Sequence, residues 1–179
     1  YRSSSYDLTV NLNTDGPYTI HSKAWIDWNR DGDFTDIGEE YDLGTAFDTD
    51  DGPTTASPLT IPVPASANLG KTTMRVSAKY NSDPTPCETG FDGEVEDYTI
   101  FVKEPINLDF EMSGTDFCEG EDVEFFYTGT ELDEISWSFT NGDVTYDFDE
   151  WAGTIVAPEV GTYNLILIGW EGPMTDGGT

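Results

Sequence analysis

The chain has 179 residues, and 36 Asp and Glu against 7 Lys and Arg leave it with a net charge of -29. That balance excludes nucleic acid and an anionic membrane surface as partners, because both are gripped by clustered Lys and Arg. It also strains a compact fold by self-repulsion unless salt or bound ions offset it, which makes multivalent cations attractive ligands.

Five Trp, nine Tyr and ten Phe are more aromatic surface than a disordered chain carries, so a core is expected. The length suffices for one large domain or two ordinary ones. No apolar run reaches the roughly 18 residues that a spanning helix needs, so no membrane insertion is expected. The opening "YRSSSYDLTV" lacks the character of a secretion leader and reads as the interior of a longer protein, a mature or excised fragment. Cys87 and Cys118 leave three fates open: pairing with each other, bonding elsewhere in the parent, or burial as thiols.

In chain order the periodicity is that of strands. "SYDLTVNL" alternates Tyr6, Leu8 and Val10 with Asp7, Thr9 and Asn11. "KAWIDW" puts Ala24, Ile26 and Trp28 on one face and Trp25 and Asp27 on the other. His21, the single histidine, reads as an ordinary strand residue, since neither a hydrolytic dyad nor a histidine-bound zinc can be built around it alone.

The stretch "WIDWNRDGDFTDIGEE" follows directly. A hard cation such as calcium takes six to eight oxygens, and a loop supplies them by turning alternate side chains inward, with glycine at the sharp bend. Asp27, Asn29, Asp31 and Gly32 stand at positions one, three, five and six of that pattern, and Asp33 at seven. Position twelve is Gly38 rather than glutamate, so the closing ligand is open among Asp36, Glu39 and Glu40. The loop follows a strand, which excludes an EF-hand and leaves a strand-borne calcium loop. The plain alternative is an acidic turn in an acidic chain.

"DTDD" at 48–51 lacks this spacing and reads as a solvated turn, as does "DFDE" at 147–150. "PLTIPV" reads as an edge or irregular strand, because Pro62 and Pro64 cannot donate to a ladder. "LGKTTMR" imitates a phosphate loop, but Ala65 stands where that motif needs glycine, and a strand pattern follows. That strand, "TTMRVSAKY", aligns Met74, Val76, Ala78 and Tyr80. In "GEVEDYTIFV", Glu94, Glu96 and Tyr98 share one face and Val95 and Asp97 the other, so its carboxylates either help the acidic loop or pair with Arg75 or Lys79.

"KEPINL" at 103–108 reads as a linker, after which the strand pattern restarts in "EDVEFFYTG", "EISWSFTNGD" and "GTYNLILIGW". The last run is apolar on both faces and reads as a covered strand. The expectation is an all-β chain of two tandem β-sandwich domains, residues 1–104 and 105–179.

The motifs also carry a resemblance. "WIDWNRDGDFTDIGEE", followed by "TIPVPASANLGKTTMRVSAKYNSDPTPCETGFDGEVEDYTI", resembles the GEVED domain over residues 6–102, with the name-giving letters at 93–97. The resemblance implies a β-sandwich module of large secreted bacterial proteins, often of Bacteroidetes, beside protease, adhesion and other surface domains. It brings no catalytic role, and its shared acidic loop falls on Asp27, Asn29, Asp31 and Asp33. The second half, residues 105–172, resembles a PKD domain, an immunoglobulin-like module, through "FCEGEDVEFFYTG", "ISWSFTNGD" and "GTYNLILIGW". The usual Trp-Asp-Phe-Gly-Asp-Gly signature is altered to Trp137, Ser138, Phe139, Thr140, Asn141 and Gly142. Trp137 suits a core position and Tyr163 a tyrosine corner.

No enzyme is expected: domains this small leave little room for a cleft between paired carboxylates. Two functions compete. One is a calcium-stabilised structural or adhesive segment of a secreted or cell-surface bacterial protein, with Asp27, Asn29, Asp31, Asp33, Asp36 and Glu39 holding Ca2+. Its partners would be the other domains of a larger parent, or another surface protein. The other is a carbohydrate-binding module in which Trp25, Trp151 or Trp170 stacks on an extracellular polysaccharide. Ring exposure separates them.

Overall fold

The computed structural model describes residues 1–142, 145–157 and 159–171. The described residues hold fourteen strands and no helix, so the chain is all-β. It divides into two compact units, Tyr1–Pro105 and Ile106–Thr179.

The first unit contains β1 (Ser5–Leu8), β2 (Asn11–Leu12), β3 (Thr19–Ile26), β4 (Glu40–Phe47), β5 (Gly52–Pro53), β6 (Leu59–Pro62), β7 (Gly70–Tyr80) and β8 (Gly93–Val102). Its main sheet is antiparallel in the order β4-β3-β7-β8, while β1 pairs with β6 and β2 with β5. The period-two pattern places Ile26, Met74, Ile100 and Val102 of the main sheet on the face that meets Leu8, Leu59 and Ile61 of the β1–β6 pair. Trp28 lies in the same core and donates from Nε1 to the Tyr41 hydroxyl at 2.9 Å. β6 has no second partner among the described residues, an edge position that suits the proline at its end, Pro62.

The opposite face of the main sheet is also covered. Residues 81–92 fold over it, and three polar contacts hold them there. Asp83 lies 2.7 Å from His21 Nδ1, Arg75 donates to the Pro86 carbonyl at 2.8 Å, and Lys79 pairs with Glu88. Trp25, on this face beside Arg75, is 0% exposed, so it is not available to stack on a sugar. Gly93 opens β8 where a Cβ would meet the Ala78 carbonyl at 2.1 Å, and the ladder can close there only on glycine.

The second unit contains β9 (Phe110–Met112), β10 (Asp122–Tyr127), β11 (Glu134–Thr140), β12 (Thr145–Phe148), β13 (Ala152–Val156) and β14 (Asn164–Trp170). They form two three-stranded antiparallel sheets, β13-β10-β9 and β12-β11-β14. Trp137, 0% exposed, packs with Phe125, Leu132 and Ile135, and its Nε1 donates to the Glu150 carbonyl at 2.9 Å. Tyr163 stacks on Phe139 with ring centroids 4.7 Å apart, and its hydroxyl donates back to the Glu159 carbonyl.

Two readings of this half need correction. Asp147 and Phe148 belong to β12 rather than to a solvated turn, because Phe148 packs onto Phe125 and Trp137. β14 is covered on one face only: Leu165 and Leu167 turn into the core while Ile166, Ile168 and Trp170 are exposed. Apolar periodicity sorts the faces of a strand, but only a packed layer covers them.

Candidate metal centre

The acidic loop is the connection between β3 and β4. Its base is closed by Ile26 donating to the Glu39 carbonyl at 2.9 Å and by Asp27 donating to the Thr73 carbonyl at 3.2 Å. Asn68 adds a bond from its backbone N–H to the Trp28 carbonyl at 2.7 Å.

Inside the loop the every-second-residue spacing has a local cause. Each acidic or amide side chain accepts from a backbone N–H further on, the self-closing turn that Asp and Asn favour. Asp27 accepts from Asp31 at 3.2 Å and from Gly32 at 3.1 Å, one oxygen to each. Asn29 accepts from Asp31 at 3.0 Å, Asp31 from Asp33 at 3.1 Å, and Asp33 from both donors of Thr35 at 2.8 Å. The Thr35 bonds hold the Asp33 carboxyl below its ordinary pKa. Gly32 sits at φ +90 with nothing near a would-be Cβ, so the left-handed bend, not space, requires glycine.

These turns bring Asp31, Asp33 and Asp36 together on the surface, with a carboxylate oxygen of each within 4.8 Å of the others. The Asn29 amide bridges two of them, donating to Asp31 at 2.9 Å and to Asp36 at 2.5 Å. Turned by half a rotation, the same amide presents its oxygen there instead, at the cost of the bond that this oxygen accepts from the Asp31 N–H.

Strand parity separates Glu39 from Glu40, since neighbouring residues entering β4 point to opposite faces. Glu40 faces away: it accepts from Lys23 Nζ at 2.8 Å and from Trp25 Nε1 at 3.1 Å, and Lys23 holds its carboxyl below the ordinary pKa. Glu39 faces inward and is 2% exposed. One of its oxygens accepts from the Trp28 N–H at 2.8 Å, while Oε2 is buried without a hydrogen-bond partner. Burial raises the Glu39 pKa, against the opposing amides of Trp28 and Asn29, and the charges of Asp27 and Asp36 raise it further. A buried carboxylate oxygen with no donor, close to two further carboxylates, is the arrangement a cation relieves.

The GEVED stretch does not join this cluster. Asp97 makes a two-pronged pair with Arg75, directly opposite on β7, at 2.7 and 2.6 Å. Arg75 also lies over the Phe34 ring of the acidic loop, 5.4 Å from its centroid. It therefore ties the loop, β8 and the 81–92 segment together, a role that no spacing in the sequence marks. Of the remaining sugar-stacking candidates, Trp151 is 45% exposed and touches Tyr127, and Trp170 is 52% exposed. Cys87 and Cys118 are both exposed free thiols, so burial does not apply to either.

The family model of the GEVED domain matches residues 21–101, from within β3 to the penultimate residue of β8, and so takes in both the acidic loop and Gly93–Asp97. No curated protein shows a significant match to the chain.

Proposed function

We propose that this chain is a non-catalytic, calcium-stabilised structural or adhesive segment of a secreted or cell-surface bacterial protein. In this reading it is built as two tandem β-sandwich domains, the second PKD-like, and serves the other domains of a larger parent. The observation that carries the cation is the buried, unpartnered Glu39 Oε2 beside a loop that gathers Asp31, Asp33 and Asp36. Those residues would hold calcium together with the Asn29 oxygen. Asp27 keeps lone pairs for the ion beyond the two N–H groups it accepts. Bound there, calcium supplies positive charge where carboxylates converge and fixes the β3–β4 connection.

Calorimetry in chelator and then in calcium tests this. The expected result is a melting temperature raised by calcium and left unmoved in Asp31→Asn and Glu39→Gln. An unchanged melting temperature in the parent chain refutes it.

The alternative, a carbohydrate-binding module, is favoured by the exposed rings of Trp151 and Trp170. A glycan array with the parent chain and Trp151→Ala separates the two readings. Sugar binding lost in the variant supports the module, and none at millimolar levels leaves the structural reading.

A further inference from the structure

The two layers of the first unit do not close along one side. Among the described residues, β1 pairs only with β6 and β8 only with β7, so two unpaired strand edges face the same gap. Three cavities of about 440, 390 and 770 Å³ lie along it. Leu8 and Met74 line both the first and the second, and Leu12, Ala78 and Glu94 both the second and the third, so they form one trough alongside β8. One end is tied by Arg2 donating to the Lys103 carbonyl at 2.8 Å, and Tyr18 and Tyr80 meet edge to face at the other.

The lining is ordered along β8. Ile100 and Val102 face the core, whereas Tyr98, Glu96 and Glu94, on the same face by the alternation of the strand, line the open part. Opposite them on β7 the floor is apolar: Met74, Val76 and Ala78. No Lys or Arg lines the second or third cavity, and the only basic residue at the first is Lys103.

We propose that this trough accepts an extended segment of a partner polypeptide as a strand added to the free edge of β8. The partner carries Lys or Arg across from Glu94 and Glu96 and apolar side chains across from Tyr98 and Ile100. Backbone hydrogen bonds of the ladder would give affinity, and the acidic-to-apolar order of the wall would give register and choice of partner. A second copy of this chain is a poor occupant, because its own β8 brings Glu94, Glu96 and Asp97 and no base.

The probe is a fluorescein-labelled synthetic strand of about ten residues, the length of β8, which alternates threonine with two valines followed by two lysines. It is titrated into the full chain at physiological salt. The expected result is saturable binding, with new hydrogen-exchange protection at amides of residues 94–100 and none in β9–β14. Proline at alternate positions of the peptide abolishes binding, because it removes ladder donors. The Glu94→Gln/Glu96→Gln variant weakens binding roughly tenfold, the sum of two exposed ion pairs, while its melting temperature stays within a degree or two of the parent. Equal binding of the proline peptide, protection elsewhere, or no binding at millimolar peptide overturns the proposal. So does tighter binding to the glutamine variant, for then the two carboxylates serve only to repel strands from the edge.

Discussion

The two units resolve the same problem, a large excess of carboxylates, in opposite ways. The first holds nineteen Asp and Glu and all seven Lys and Arg; the second holds seventeen Asp and Glu and no base at all. In the first, the scarce cations are fasteners: Arg2 holds Glu104, Lys23 holds Glu40, Lys79 holds Glu88, and Arg75 joins Asp97, the Pro86 carbonyl and Phe34. The second is held by rings, with Phe125, Trp137 and Phe148 in mutual contact and Phe110 edge-on to Trp137. Sequence charge alone therefore does not say how a domain bears it. One unit spends its few bases on defined contacts, and the other leaves its carboxylates to solvent and salt.

The sharpest way to break this contrast is Trp137→Ala. It should cost about 3–5 kcal/mol and unfold the second unit in mild urea, while the first keeps its calcium response. Residue-resolved hydrogen exchange reads both at once, and joint unfolding would show that the two units form one cooperative block.

The proposed calcium site tests the contrast from the other side. At a hundredfold excess over its dissociation constant calcium should add about 2.7 kcal/mol, confined to the first unit, and chelator should reverse this. Gly93→Ala comes next. Its Cβ has no room against the Ala78 carbonyl, so it should cost about 1–3 kcal/mol in the first unit only, read from the urea midpoint.

Raising salt from 0.1 M to 1 M shortens the screening length from about 10 Å to about 3 Å. Melting should rise more in the second unit, by about 1 kcal/mol, the sum of several exposed like-charge contacts of a few tenths each. A larger gain in the first unit would contradict the contrast.

The smallest effect concerns acid. Arg75 holds the Asp97 carboxyl below its ordinary pKa, so the pair stabilises the fold above the unfolded value of about 3.9. That contribution is lost as pH falls through the lower folded value. Asp97→Asn should cost less than about 1 kcal/mol at neutral pH, because the pair is half exposed, and should remove this acid-side loss. Melting curves at several pH values between 5 and 2 check it.

Much of this was legible in the residues. The alternation in "KAWIDW", "TTMRVSAKY" and "GEVEDYTIFV" marks β3, β7 and β8, and the Asp-x-Asn-x-Asp-Gly spacing marks the loop between β3 and β4. That Glu39 faces inward and Glu40 outward was not, because it depends on where β4 begins, and one residue reverses every face. Trp25 offered no warning of its burial, since "NSDPTPCETGFD" has the composition of an exposed turn and covers the sheet only through contacts distant in sequence. The trough along β8 is likewise invisible in one dimension: a free edge is a property of neighbours that are missing, and periodicity speaks only of faces.

The Ile26–Glu39 hydrogen bond has a practical side. It seals the acidic loop at its neck, so the entropy of closing the ring is met by the pairing of β3 with β4 and needs no ion. Residues 27–39 thus behave as a cassette that could be grafted onto another β-hairpin. The graft would need to bring Trp28 with it, because the backbone N–H of that residue anchors Glu39.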